Sequence, residues 1–301
     1  MKRVLVTVAL MLLFLAVAAT AQFTPWSAPV NLGSAVNSSA TDCCLTVSKN
    51  GLSLFFRSTR SGFSRLYVSK RASVDAPWGA PQEIVGFNDG YWMACPALSP
   101  DEHRMFFQGS RPGGCGGGDL WVSRRHDRRD DFGWGPPVNL GCAPNGPNSP
   151  QGDFVPTVFE DETGTEVLYF GSGRLGLGNG DIWESRMRND GTFGPATLVA
   201  ELSSPSWEQV AVRRDGLEAI LSSGRPGGPY PGTGDMWTST RASTADAWSP
   251  PVPEPVLSSQ YGGGGRMQIS FDGREFYFCS NRPEGSGGND LYVAKREKLR
   301  Q

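Results

Sequence analysis

The sequence predicts an all-β protein: a five-bladed β-propeller of four-stranded antiparallel blades, its ring closed by the N-terminal strand pairing with the last blade. Three observations carry this. Glycine and proline make up 62 of 301 residues, alongside nine Trp and sixteen Phe; the first two break helices, and aromatics favour pleated, half-buried surfaces. One segment recurs five times along the chain. Finally, the last copy lacks a fourth strand, and a matching segment stands near the N-terminus.

The first 21 residues are expected to be a signal peptide. Lys2 and Arg3 precede an apolar run from Val4 to Ala19, and Ala19-Thr20-Ala21 supplies the small residues a signal peptidase reads, with cleavage before Gln22. The run is shorter than the ~20 apolar residues a spanning helix needs. The expectation is an exported chain, periplasmic or secreted, with residues 22–301 forming one domain. No cysteine follows the small residues as a lipid anchor would require, so no membrane insertion is expected after cleavage. Without Lys2 and Arg3 the net charge is −4, which argues against a nucleic-acid surface. The basic cluster Arg124 to Asp131 carries its own acids and reads as a solvated loop.

The recurring segments are FFRSTRSGFSRLYVSKR, FFQGSRPGGCGGGDLWVSRR, YFGSGRLGLGNGDIWESR, ILSSGRPGGPYPGTGDMWTSTR and YFCSNRPEGSGGNDLYVAKR. Their arginines, Arg60, Arg111, Arg174, Arg225 and Arg282, are spaced by 51, 63, 51 and 57 residues. That period exceeds a helical solenoid unit and suits a four-stranded blade. Within each copy a first strand such as CPALS ends in a tight turn of the type SPDE, RRDG or SFDG, whose Asp and Gly supply the angles required. A second strand follows, then a glycine-rich loop, then a third strand such as DLWVSR. The fourth begins at Trp78, Trp134, Phe193 or Trp248 and carries prolines, which an outer edge strand tolerates. The spare segment WSAPVNLG, Trp26 to Gly33, nearly duplicates Trp134 to Gly141. Pairing it with the last blade removes the open sheet edges.

A Ser-Pro-Asp-Gly-like turn, an aromatic strand, Ser-x-Arg, a glycine loop, Asp and an aromatic strand together resemble the WD-repeat-like propeller repeats of the TolB type, across residues 26–297. The resemblance implies the fold and an exported bacterial protein, and leaves function open. The first copy departs from it, with Arg65 where the others have Asp119, Asp181, Asp235 and Asp290.

A polar pair repeated in each blade is expected to hold the ring together, since an active site needs its residues once. Arg111 and Asp119, Arg174 and Asp181, Arg225 and Asp235, and Arg282 and Asp290 bracket the glycine loops, and are expected to brace the loop or the next blade through charge-assisted hydrogen bonds. Phosphate cradles need a glycine loop entering a helix; these loops run from strand to strand, and no GK[ST] follows. No cofactor is expected, with calcium a lesser possibility, because each loop offers one or two acids where calcium takes six to eight oxygens. His103 and His126 lack partners at zinc-ligand spacing and read as exposed loop residues. No G-x-S-x-G elbow is present.

Six cysteines in an exported chain are compatible with three disulfides, and free, packed thiols are the alternative for some of them. Cys43 or Cys44 is expected to bridge to Cys95, since Cys44 and Cys95 occupy equivalent first-strand places near the axis. Cys115 and Cys142 are expected on one rim as a second pair, which leaves Cys279.

The long connections from fourth to first strands and from second to third strands emerge on one rim, where function tends to lie. The residues entering the first strands there vary: Asp42; Asp89, Tyr91 and Trp92; Gln151, Asp153 and Phe154; Trp207 and Glu208; Tyr261 and Arg266. Such carboxylates and aromatics suit a sugar or a peptide, and otherwise simply plug the channel. The leading expectation is therefore a monomeric, non-catalytic module that binds an envelope or extracellular protein, or a glycan. The competing one is a glycoside hydrolase using Asp42, Asp153 and Glu208, whose separation would set the stereochemistry.

Overall fold

The computed structural model describes residues 23–85 and 90–299. The expected leader and Asp89 lie outside these residues. Strand β1 (Val30–Asn31) is followed by blade 1, β2 (Asp42–Val47), β3 (Ser53–Ser58), β4 (Arg65–Lys70) and β5 (Gln82–Glu83). Blade 2 is β6 (Trp92–Leu98), β7 (Arg104–Ser110), β8 (Asp119–Arg124) and β9 (Val138–Asn139). Blade 3 is β10 (Asp153–Glu160), β11 (Glu166–Ser172), β12 (Asp181–Arg186) and β13 (Thr197–Leu198). Blade 4 is β14 (Glu208–Val212), β15 (Glu218–Ser223), β16 (Asp235–Thr240) and β17 (Val252–Pro253). Blade 5 has β18 (Gly264–Ile269), β19 (Glu275–Ser280) and β20 (Asp290–Lys295). Its fourth strand is β1, with Val30 opposite Val293 and Asn31 opposite Tyr292. The ring closes as the spare segment predicts.

The core lies between neighbouring blades. Phe159, Tyr169 and Ile182 of blade 3, for example, pack with Val210, Leu221 and Trp237 of blade 4. A second repeated arginine, absent from the sequence reading, locks the face on which the short turns lie. Arg71, Arg125, Arg241 and Arg296 lie 4.0–4.6 Å from the rings of Trp78, Trp134, Trp248 and Trp26. Each donates Nε to a carbonyl of its own blade's first turn, those of Gly51, Glu102, Gly216 and Gly273. A buried guanidinium over Trp contributes about 2 kcal/mol. Blade 3 has Met187 at this place and Phe193 in place of Trp. The Arg124–Asp131 cluster is therefore only partly solvated: Arg125 and Asp131 are buried and ion-paired at 3.0 Å, because the repeat needs that arginine inside. His103 and His126 are exposed, as expected.

All six cysteines are paired: Cys44–Cys95 and Cys115–Cys142, as expected, and Cys43–Cys279 across the ring closure. Their Cα separations are 4.4, 5.6 and 5.1 Å, respectively. The first strands of blades 1, 2, 3 and 5 bulge where they line the axis, and the ladder register shifts there. At the bulges Cys44, Cys95, Val155 and Gly265 take φ values of 53–64°. The bulges put the cysteines into the axis, within reach of one another.

Candidate functional site

The loop-rich rim is built from the junctions between blades. Asp42, Trp92, Asp153 and Glu208 occupy one equivalent position, each opposite a serine of its second strand: Ser58, Ser110, Ser172 and Ser223. Three of the four are acids, and all three carboxyl groups are sealed from solvent. Each is capped by a serine four residues earlier. The amides of Ser38 and Ser149 donate to Asp42 and Asp153 at 2.6 and 2.5 Å, and that of Ser204 to Glu208 at 3.2 Å. The Ser38 and Ser204 hydroxyls bond to the same carboxyls.

The bracket around the glycine loop is corrected here. Arg60 pairs with Asp42 at 2.7 Å, Arg174 with Asp153 at 2.6 Å, and Arg225 with Glu208 at 3.5 Å. The partner is thus the first-strand acid rather than the loop aspartate, because the arginine turns back across its own second strand. Its Nε reaches the serine two residues before it in the same three blades. The loop aspartates brace the loops alone. Asp119 accepts from the Cys115 amide, Asp181 from Leu177 and Gly178, Asp235 from Tyr230, and Asp290 from Ser286 and the Asn31 side chain. In blade 5, Gly263 precedes β18 where an acid would stand. Arg282 there donates to the Leu257 carbonyl and lies over the Phe278 and Tyr292 rings, its Nε is buried without a hydrogen-bond partner among the described residues, and burial pulls its pKa down. Arg111 of blade 2 lies over the rings of Tyr91, Phe107 and Trp121.

Burial pushes the pKa of Glu208 up, against the opposing pull of hydrogen bonds from Ser204 and Ser223 and of the Arg225 charge. Asp119 is also raised, by burial first and then by the charge of Asp153, next to which blade 2's loop packs.

Of the other rim residues, Tyr91, Trp92, Gln151, Trp207 and Tyr261 are exposed around the mouth, joined by Tyr230, which the sequence reading passed over. Phe154 is half-buried against Gly171, where a Cβ would meet the ring at 2.2 Å. Arg266 is not a rim residue. It lies in the axis, fully buried, bonded to the carbonyls of Leu45 and Pro156. Its neighbour Gly265, left-handed at φ 64°, carries the strand inward. Among the described residues, no three or more His, Cys, Asp or Glu gather as a metal site. Asp119, Asp181, Asp235 and Asp290 each keep one buried oxygen without a hydrogen-bond partner. A cavity of about 710 Å³ opens on the opposite face, between the first turns of blades 3, 4 and 5, with Glu160, Asp215, Asp272, Arg214 and Phe271 in its wall. Short turns conceal such a cavity in sequence, because they look like connections only.

No protein-family model matches the chain, and no curated protein sequence matches it significantly. Solved structures do match. An α-L-arabinofuranosidase from Podospora anserina in complex with cellotriose is 13% identical, with a TM-score of 0.56, covering 92% of this chain and 97% of its own. A thermostable family-43 glycoside hydrolase is 13% identical, with a TM-score of 0.59 and coverages of 89% and 92%. An endo-arabinase from Bacteroides thetaiotaomicron is 18% identical, with a TM-score of 0.57 and coverages of 92% and 99%. At these identities the likeness establishes the five-bladed fold. It also corrects the expectation of a non-catalytic interaction module. That expectation rested on the lack of a nucleophile, histidine or metal set, yet these three similar structures, matched over nearly their whole length, are of glycoside-cleaving enzymes, and glycoside hydrolysis needs only two carboxyl groups.

Proposed function

We propose that this chain is an exported glycoside hydrolase acting on arabinose-containing glycans, with Glu208 as the general acid at the loop-rich rim. The observation that carries the reading is the contrast among three carboxyl groups brought to one rim from three blades. Asp42 and Asp153 hold short ion pairs, whereas Glu208 stands farther from its arginine and burial raises its pKa. A carboxyl group whose proton burial helps to hold suits the general acid. Glu208 gives its proton to the leaving-group oxygen as the glycosidic bond breaks, and Asp42 or Asp153, once the rim loops open to admit water to it, takes a proton from the attacking water. Exposed Tyr91, Trp92, Trp207, Tyr230 and Tyr261 offer faces for sugar rings. Glycan access requires the Ser203–Trp207 connection to release Glu208 from Ser204. The three disulfides fit an oxidising compartment, and the likeness to arabinan-active propellers supports the substrate class.

The test is release of reducing sugar from arabinan, arabinoxylan and aryl arabinofuranosides. Glu208→Gln, which keeps the side-chain shape, is expected to lower kcat by at least about 100-fold, with folding checked by Tm. No release from any of these substrates, or full activity in Glu208→Gln, overturns the reading.

A further inference from the structure

Arg266 is a buried cation with no ion-paired carboxylate among the described residues. Its Nε donates to the Pro156 carbonyl of blade 3 at 3.0 Å, and Nη1 to the Leu45 carbonyl of blade 1 at 2.6 Å and to Met267 at 3.4 Å. Nη2 has no acceptor among the described residues. Carbonyl dipoles compensate such a charge only in part, and an uncompensated charge in a low-dielectric interior is costly. Burial pulls the pKa of Arg266 down to about 9, which leaves it charged at neutral pH.

The guanidinium faces a small cavity in the axis of the ring. Its wall takes residues from all five inner strands: Val47, Leu98, Thr157, Val212 and Ile269, besides Arg266 itself. The space is about 50 Å³, room for roughly three to five water-sized spheres. A sugar ring does not fit; a halide or a short carboxylate does. At the outer end Lys49 and Arg214 flank the Phe271 ring at 4.3 and 3.5 Å. Glu102 is turned to the Lys49 amide, which it accepts at 2.7 Å. Cations therefore stand at both ends of a narrow shaft whose wall also carries Ser99, Thr157, Gln268 and Glu102.

We propose that this axial cavity is a binding site for one small monovalent anion, a halide or a short carboxylate, held by Arg266. The anion completes the charge pairing that the three junction acids provide for Arg60, Arg174 and Arg225. The site is independent of the rim chemistry proposed above and can stand or fall without it.

Bromide is the probe. Crystals of the wild-type protein soaked in sodium bromide are expected to show an anomalous peak in the axial cavity beside Arg266 Nη2. In solution, Tm is expected to rise by about 2–4 °C in sodium chloride, bromide or formate, relative to a bulky sulfonate at equal ionic strength. Arg266→Gln is expected to lose that difference; if this variant does not fold, the wild-type peak decides. Saturation at lower concentration by chloride or by formate identifies the halide or the carboxylate as the natural class. A water-filled cavity, bromide elsewhere as an adventitious ion only, or equal Tm in all these salts overturns the proposal.

Discussion

Gly265 and Cys43 stand so close across the seam between blades 5 and 1 that a Cβ on Gly265 would lie 2.4 Å from the Cys43 sulfur. The same Cβ would lie 3.0 Å from Cys279 Sγ, and the glycine has φ 64°. The disulfide that staples the ring and the glycine that lets the inner strand enter the axis therefore need one another. Gly265→Ala is expected to cost about 2–3 kcal/mol from strain and steric displacement, measured by urea unfolding. The cost should shrink in a Cys43→Ser, Cys279→Ser background, where the bonded sulfur pair is gone.

The three disulfides should differ in value. Cys43 and Cys279 are separated by 236 residues, Cys115 and Cys142 by 27. Chain-entropy scaling gives about 5 kcal/mol for the first and about 3.5 for the second. Paired serine substitutions compared by chemical denaturation should reproduce that order; equal losses would show that strand β1 alone sets the closure.

The junction arginines divide by whether an acid faces them. Removing Arg174 leaves Asp153 buried without its ion pair, so Arg174→Met is expected to cost about 3 kcal/mol or more. Arg282 has no such acid, and Arg282→Met should cost about 1 kcal/mol. The comparison is read from unfolding midpoints, and adding Asp153→Asn to Arg174→Met should recover part of the loss.

Glu208 gives the stability a pH dependence of defined sign. A carboxyl whose folded pKa lies above its unfolded one binds more protons in the folded state. Its contribution is complete below about pH 4.3, the ordinary glutamate value, and is lost as pH rises through the raised folded pKa. Glu166, also raised by burial, acts in the same direction. Glu208→Gln is expected to flatten the fall in unfolding free energy as pH rises above the ordinary glutamate value. The wild-type activity should decline on the alkaline side, where Glu208 loses its proton.

The architecture was legible because each blade repeats the same chemistry. Period, turn residues and the orphan segment at Trp26 suffice to specify five blades and their closure. Cys44–Cys95 and Cys115–Cys142 followed from equivalent positions and a shared rim, whereas Cys43–Cys279 depends on a bulge that no single-sequence pattern announces. The partner of each junction arginine was misread because the loop aspartate is nearer in sequence, while the first-strand acid is nearer in space. Arg266 looked like a rim residue for the same reason: a left-handed glycine, rather than any polarity pattern, turns it inward. The recurrence of arginine at 71, 125, 241 and 296 was present in the sequence and would have located the second lock.

The pairing of β1 with β20, extended by a bridge between Phe23 and Lys298, sets the two ends of the folded ring side by side. Topologically the seam is then one junction among five. A short peptide joining these ends, with a new opening in one of the five fourth-to-first connections on the loop-rich rim, should yield a circular permutant of the same ring, whose last blade no longer waits for the final residues of the chain before it can form.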